Sequence, residues 1–306
     1  MAEPEGWSAS AGVEFVAANC ERLTLTQRGP IVVKVGGSIQ DDRAQLQQIM
    51  DDVITLRQLG GQVVVVHGGG KAINAAVKDA GLTPTFVKGQ RYTDGPTLAI
   101  AERVLAEVVN AQLVSMIQRP LGGVKAAGLH SLGTCVLFAE RAIQDGVDLG
   151  FVGEVRRVDT DALRSLMHAQ TVPVIGPISM DIASVPPAQR TVDKPGKLNV
   201  NADLAAGVVA AQLEAGCFVL VSDTPGVRSD PRDAATAMAS MNRAEFAALR
   251  ASGAVDGGML PKLRACFDAL EAVPAMSVSI IDGRLPRALL AAVIEPERTP
   301  GTRVTL

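Results

Sequence analysis

Lys34 stands inside an apolar run, Ile31-Val32-Val33-Lys34-Val35, that leads straight into Gly36, Gly37 and Ser38. Consecutive β-branched residues of this kind read as a strand buried on both faces, as in parallel sheets. An ammonium group there is costly to bury unless it is paired or reaches solvent at a site. Paired glycines take backbone angles closed to other residues and present amides to a close ligand. The fragment reads as a phosphate seat with a charge-neutralising lysine, or else as an edge-strand lysine before an ordinary tight turn. A second apolar run, 63–66, ends in His67-Gly68-Gly69-Gly70-Lys71. Two glycine turns, each closing a strand and opening a helix, are more informative than one, because amides at helix starts suit anionic groups. Neither turn is a P-loop, since 68–71 lacks the GxxxxGK[ST] spacing, and no convincing GxGxxG follows either strand.

Three more stretches carry chemistry. The charged, turn-rich segment 86–94 reads as a hairpin around Arg91, whose fork can hold both oxygens of a carboxylate. Asn199, Asn201 and Asp203 precede an Ala-rich helix; they exceed what a single helix cap can use. The segment 256–262 ends in Lys262 at the start of a helix. A cation at that position opposes the helix dipole, and an anionic partner would repair the mismatch.

The scaffold must come from a chain of 306 residues that is 47% hydrophobic but only 3% aromatic. Ala, Val, Leu and Ile must therefore build the core, which suits helices packed on a parallel sheet. A formal net charge of −3 with no run of like charges gives no sign of a nucleic-acid surface. Cys20, Cys135, Cys217 and Cys266 are far apart and form no CxxC pair. They read as small buried hydrophobes in a reducing, cytoplasmic compartment. His67, His130 and His168 are also scattered, which argues against a His-based metal site. Glu3 and Glu5 interrupt the first eleven residues, which lack the apolar core of a secretory signal. The most apolar long segment, 204–221, contains Gln212, Glu214 and Gly216. It divides into a helix, a turn and a strand and does not form a membrane span.

In chain order, apolar spacing predicts a helix at 13–23, strand 31–35, helix 41–59, strand 63–66 and helix 72–80. That alternation calls for right-handed crossovers and a parallel sheet with both glycine turns at its carboxyl edge. A long helix follows at 97–118, its apolar pattern interrupted by Asn110, which must be exposed or bonded to a neighbour. Strands are expected at 124–127, 135–138, 152–158 and 171–175, with a helix at 161–169. Composition turns polar and proline-rich over 186–197, placing a lobe boundary within 178–195. Beyond it come the Ala-rich helix to 215, strand 217–221, helix 263–272, strand 277–281, helix 288–293 and a terminal strand at 301–306.

Taken together, the motifs resemble the amino acid kinase family. They are KVGGS at 34–38, VHGGG at 66–70, KGQRYTD at 88–94, NVNAD at 199–203, SDTPGV at 222–227, DGGMLPK at 256–262, IDGR at 281–284 and GT at 301–302. They keep the family's order and cover nearly the whole chain from about residue 29. The resemblance implies an α/β fold, a three-layer αβα sandwich with a mainly parallel central sheet. It further implies an N-terminal extension at 1–28, a lobe at 29–180 for an acyl amino acid, and a lobe at 181–306 for ATP. The implied activity is ATP-dependent phosphorylation of the side-chain carboxylate of N-acetyl-L-glutamate to an acyl phosphate, a step of arginine biosynthesis. Lys34 and Lys262 would be the transition-state lysines, with Asp203 holding both. Gly36 and Gly37 would offer amides to the transferring phosphoryl group, and Gly69 and Gly70 to the substrate. Arg91 and Asn199 would bind the substrate's carboxylates and amide; Ser222, Asp223, Gly226 and Val255 would line the nucleotide site, with Mg²⁺ entering on ATP. The resemblance also implies a homodimer or a hexamer; in arginine-inhibited relatives a helix such as 13–23 joins dimers.

The chemistry is consistent with those parts. A carboxylate nucleophile is already ionised near neutral pH, so no general base is required. The reaction needs two anions brought together in line, with charge spread over the moving phosphoryl oxygens. Two alternatives are a kinase for another acidic derivative, such as an aminoadipate on a carrier protein, and a catalytically silent regulator on the same fold. No basic run suited to a carrier is present, and a silent copy would have no physical need for Lys34, Asp203 and Lys262. One departure stands out: a Gly-Leu-Ser-Gly-x-Asp-Gly-like turn of the family is replaced here by Gly128-Leu129-His130-Ser131-Leu132-Gly133-Thr134.

Overall fold

A computed structural model describes residues 29–36, 39–87, 90–118, 123–144, 146–183, 187–230, 232–253, 255 and 257–306. The helix expected at 13–23 lies outside the described residues, as do Gly37 and Asp256. The chain opens with β1 (Ile31–Val35), α1 (Arg43–Gln58), β2 (Val63–His67) and α2 (Gly70–Asp79), the alternation its spacing predicts. Asp42 starts α1 by accepting hydrogen bonds from Ala44 N–H and Gln45 N–H at 2.9 and 3.1 Å. Next come the short hairpin β3 (Phe86–Val87) and β4 (Gln90–Arg91), then α3 (Gly95–Arg103), a π-helical stretch Val104–Asn110 and α4 (Ala111–Ile117). These three helical pieces run end to end and cover the long helix expected at 97–118. The middle of the chain holds β5 (Lys125–Leu129), β6 (Leu137–Gln144), β7 (Val147–Val158), α5 (Thr160–His168), β8 (Thr171–Ile175), β9 (Ile178–Asp181) and β10 (Lys197–Val200). The remainder is α6 (Ala202–Gln212), β11 (Cys217–Ser222), β12 (Ser240–Met241), α7 (Arg243–Ser252), α8 (Met259–Ala272), β13 (Ser277–Asp282), α9 (Ala288–Ile294) and β14 (Gly301–Val304).

An eight-stranded sheet in the order β12-β14-β13-β11-β1-β2-β8-β5 forms the middle layer. Its neighbours pair in parallel except β13 with β14, as the mainly parallel sandwich requires. β1 sits at the centre, in register with β11 through Lys34 opposite Leu220 and with β2 through Lys34 opposite Val66. Strand side chains alternate between faces. Val32 joins the core shared with Ala205, Ala206 and Val209 of α6, while Ile31, Val33 and Val35 pack with Leu46, Ile49 and Met50 of α1 and Leu289 of α9. Lys34 follows Val32 by two residues and so emerges on the α6 side.

On that side α6 crosses α8 at close range. A Cβ added at Gly207 would lie 2.8 Å from the Ala265 carbonyl oxygen, closer than real Cβ atoms come. The missing side chain lets the two backbones touch, one turn inside the helix starts that carry Asp203 and Lys262.

Two parts of the architecture differ from expectation. β9 and β10 flank the polar, proline-rich stretch and were not foreseen as strands; with longer versions of the two expected β6 and β7 strands they close a four-stranded barrel, β10-β7-β6-β9. Their four-residue length and mixed polarity hide them from pattern reading. The second unforeseen piece is the pair β12 and α7; α7 starts with a capping box, in which Asn242 accepts from Glu245 N–H at 3.0 Å and Glu245 accepts from Asn242 N–H at 2.8 Å.

Candidate active site

Asp203 lies in the first turn of α6, a favourable place for a carboxylate in the field of the helix. Asn201 caps that helix by accepting from Asp203 N–H and Leu204 N–H at 2.9 and 3.1 Å, which leaves the Asp203 side chain free for other partners. Oδ1 of Asp203 stands 2.6 Å from Lys34 Nζ and Oδ2 accepts from Lys262 Nζ at 3.0 Å. One carboxylate thus joins the central strand to the first turn of α8. Lys34 is 4% exposed and Asp203 7%. Burial pulls the Lys34 ammonium below its ordinary range, and the charge of Asp203 opposes the pull. Burial pushes the Asp203 carboxyl upward, but the two lysines outweigh it and hold it below the usual carboxylate range. Lys262, awkward for the dipole of its own helix, finds in Asp203 the anionic partner its position demands.

The cluster opens on a cleft of about 380 Å³ whose lining includes Lys34, Asp203, Gly69, Gly70, Arg91 and Asn199. Gly70 begins α2, and the first amides of a helix have no intrahelical acceptor. Arg91 extends from β4, stacks its guanidinium 4.9 Å from the centre of the Phe86 ring and donates from Nη2 to the Gly70 carbonyl at 3.1 Å. Its Nη1 is buried without a partner, and burial pulls its pKa down. A half-buried guanidinium with one enclosed, open donor calls for an anion. Asn199 of β10 is steadied by donating to Thr93 Oγ1 at 3.2 Å. Asn74, which sequence reading overlooked, also lines this cleft and has a buried Oδ1 with no partner. The signal was its place one helical turn beyond Gly70, on the same face of α2.

The remaining candidates fall elsewhere. Gly36 N–H donates to the Val221 carbonyl at 3.2 Å, so that amide ties β1 to β11 in this structure. Ser222 ends β11 and Asp223 follows it, both outside the cleft lining, with Ser222 Oγ within 3.4 Å of Asp223 Oδ1 and 3.2 Å of Thr224 Oγ1. Asp223 is close enough to exert its charge on Lys34, Lys71 and Arg284. Gly226 has φ +98°, and Thr302 Oγ1 closes the turn by accepting from Val227 N–H at 2.8 Å. Val255, between α7 and α8, is half-buried against the core. The altered loop after β5 ties back to α3 and β10: Ser131 Oγ and Lys197 Nζ both donate to Glu102 Oε1.

A sheet of this order, with Lys34 of its central strand and Lys262 of a covering helix meeting on one aspartate, is suited to phosphoryl transfer. The model of the amino acid kinase family matches residues 29–282, and the chain belongs to that family. It is 39% identical to the acetylglutamate kinase of Methanocella arvoryzae over 298 residues, 94% of each chain. With the acetylglutamate kinase of Akkermansia muciniphila it shares 37% identity over 271 residues, 87% of this chain and 86% of that one. A solved structure, the N-acetylglutamate synthase from Neisseria gonorrhoeae complexed with coenzyme A and L-arginine, superposes with a TM-score of 0.75 at 20% identity. The superposition covers 96% of this chain but 65% of the synthase, and at that identity the likeness is one of fold.

Proposed function

We propose that this chain transfers the γ-phosphoryl group of ATP to the side-chain carboxylate of N-acetyl-L-glutamate, forming an acyl phosphate in arginine biosynthesis. The observation that carries the reading is the Asp203 bridge between Lys34 and Lys262 at the wall of a cleft that also holds an open Arg91 donor. The relatives at 37 to 39% identity bear the name acetylglutamate kinase.

In this reading the acyl substrate occupies the cleft. Arg91 and Asn199 hold its carboxylate and amide ends, and Gly69 and Gly70 donate amides to it. Lys34 and Lys262, fixed by Asp203, face the charge that spreads over the phosphoryl oxygens as the bond to ADP breaks and the bond to the carboxylate forms. Gly37 joins them as an amide donor; Gly36 does so only if its bond to Val221 is exchanged for one to phosphate. Ser222, Asp223, Gly226 and Val255 border the nucleotide. Residues 29–180 serve mainly the acyl amino acid and residues 181–306 mainly ATP, with Asn199 reaching from the second lobe into the acyl cleft. Mg²⁺ neutralises nucleotide phosphates when bound. The ion would enter with the nucleotide, and Asp223, whose charge reaches Lys34 and Lys71, is the carboxylate on the nucleotide side of the cluster; Asp203 is already committed to the two lysines.

Among the described residues no helix is long and apolar enough to cross a membrane, and we place the enzyme in the cytoplasm as a homodimer or hexamer. Light scattering on the full chain and on a chain lacking residues 1–25 reads the assembly and the part the extension plays in it.

An ADP-release assay with N-acetylglutamate, glutamate, N-acetylaspartate and aminoadipate derivatives tests the activity, with Lys34→Ala as control. Turnover should be greatest with N-acetylglutamate and lost in the control. Full turnover in Lys34→Ala, or preference for an aminoadipate derivative, would reject the assignment.

A further inference from the structure

Behind the second glycine turn lies a buried network that the reaction as proposed does not use. His67, the last residue of β2, has no exposure, and Asn110, the last residue of the π-helical stretch, is 1% exposed. The Asn110 amide nitrogen lies 2.9 Å from the Val174 carbonyl oxygen and 3.1 Å from His67 Nε2. The carbonyl fixes that atom as the nitrogen, since an oxygen there would face another oxygen. Nε2 of His67 is therefore the acceptor, so Nδ1 carries the proton and donates to the Gly68 carbonyl at 2.9 Å. Burial drives the His67 pKa down to about 4, which keeps the ring in this neutral form.

Three glycines leave room for this arrangement. A Cβ at Gly128 would stand 2.3 Å from Asn110 Oδ1, and one at Gly176 would stand 3.3 Å from His67 Nε2. At Gly69 a Cβ would stand 2.5 Å from Leu105 Cδ2, so the π-helical stretch also presses on the turn directly. An extra residue in one helical turn is a recurrent device near functional sites, and here it brings Leu105 and Asn110 to bear on one loop.

We infer that His67 and Asn110 are positioning residues that hold turn 68–70 from behind, so that the Gly69 and Gly70 amides meet the acyl substrate in a fixed place. The inference rests on the reading of those amides as substrate donors. It goes beyond that reading in making the substrate seat depend on a side-chain chain anchored at Val174 of β8.

Three variants and one spectroscopic reading test it. His67→Leu removes the shorter of the two side-chain hydrogen bonds to the Gly68 carbonyl, leaving that from Gln40 Nε2 at 3.2 Å, and should raise KM for N-acetylglutamate about ten- to a hundred-fold, with KM for ATP little changed. His67→Asn places an amide nitrogen about where Nδ1 stood and should restore KM to within about three-fold of the parent, although it leaves a void and lowers Tm. Asn110→Leu should shift the His67 tautomer in a long-range ¹⁵N–¹H correlation spectrum and raise the same KM. If KM instead follows Tm across the three variants, so that His67→Asn is as poor as His67→Leu, the residues are merely structural and the inference falls. An Nε2–H tautomer in the parent protein also overturns it. Absence of N-acetylglutamate turnover in the parent would reject the functional reading instead, and the tautomer would still report on the network.

Discussion

Lys34 Nζ stands 2.6 Å from Asp203 Oδ1, with both side chains nearly closed to solvent. A buried charge that loses its partner is costly and tends to shed the charge. Asp203→Asn removes the charge that opposes the downward pull on Lys34. The Lys34 pKa should therefore fall further. The expected result is a drop in kcat of about a hundred- to a thousand-fold, with the alkaline limb of the pH–rate profile moved to lower pH. An unmoved alkaline limb would show that Asp203 does not govern the lysine.

Arg91 offers a buried, open Nη1 while its Nη2 holds the Gly70 carbonyl. A lysine cannot reproduce both contacts in that geometry. Arg91→Lys should raise KM for N-acetylglutamate by about ten-fold or more, since a charge-assisted hydrogen bond contributes roughly 1.5–3 kcal/mol. KM for ATP should stay near the parent value. Steady-state kinetics with each substrate varied in turn separate the two.

The low pKa of His67, about 4 against an ordinary 6.5, has a thermodynamic consequence. As pH falls from about 6.5 toward 4, the unfolded chain takes up a proton that the folded chain refuses. Stability is therefore fully present above that window and declines as pH falls through it, by roughly 3 kcal/mol from this one group. Denaturant titrations of the parent and of His67→Asn between pH 7 and pH 4.5 should show a shallower decline in the variant. Parallel curves would mean that His67 is solvated or that its titration is masked.

Gly226 occupies the left-handed region at φ +98°, and a Cβ there would stand 2.5 Å from Thr302 Oγ1, the atom that closes the turn. Gly226→Ala combines backbone strain with that clash. Its expected cost is about 1–3 kcal/mol of stability, with a raised KM for ATP and little change in KM for the acyl substrate. Nucleotide titration and thermal melts check the pair; an unaffected ATP affinity would remove this turn from the nucleotide site.

Much of this was legible in the residues themselves, for identifiable reasons. The β-branched runs at 31–35 and 63–66 read as parallel strands because two covered faces leave no polar alternation, and the apolar run at 217–221 reads as a strand; they are β1, β2 and β11. Lys34 announced itself as an ammonium that burial would not tolerate alone. That Lys262 and Asp203 would answer it rested on the resemblance, since neither spacing nor periodicity relates residues so distant in the chain. The barrel stayed hidden because β9 and β10 are short and flank a segment with linker composition. Asn110 looked like a break in an apolar helix face because a 3.6-residue period does not describe a π-helical turn; the structure resolves the open choice in favour of a buried, bonded amide. That the Gly36 amide would be taken by Val221 depends on strand register, which no local motif encodes.

The single seam between the two blocks of the central sheet bears on how the two halves of the chain could be separated. β1, β2, β8 and β5 come from before residue 178 and β11, β13, β14 and β12 from after residue 216, yet β1 and β11 are hydrogen-bonded neighbours. Chains cut within 187–196 and produced apart would each present an unpaired, mostly apolar edge strand, β1 or β11, the kind of surface on which proteins aggregate. Mixed during refolding, the same fragments have complementary edges both where β1 meets β11 and where β10 meets β7 and β9, so this enzyme is a natural candidate for split-protein complementation in which catalysis itself reports the reunion.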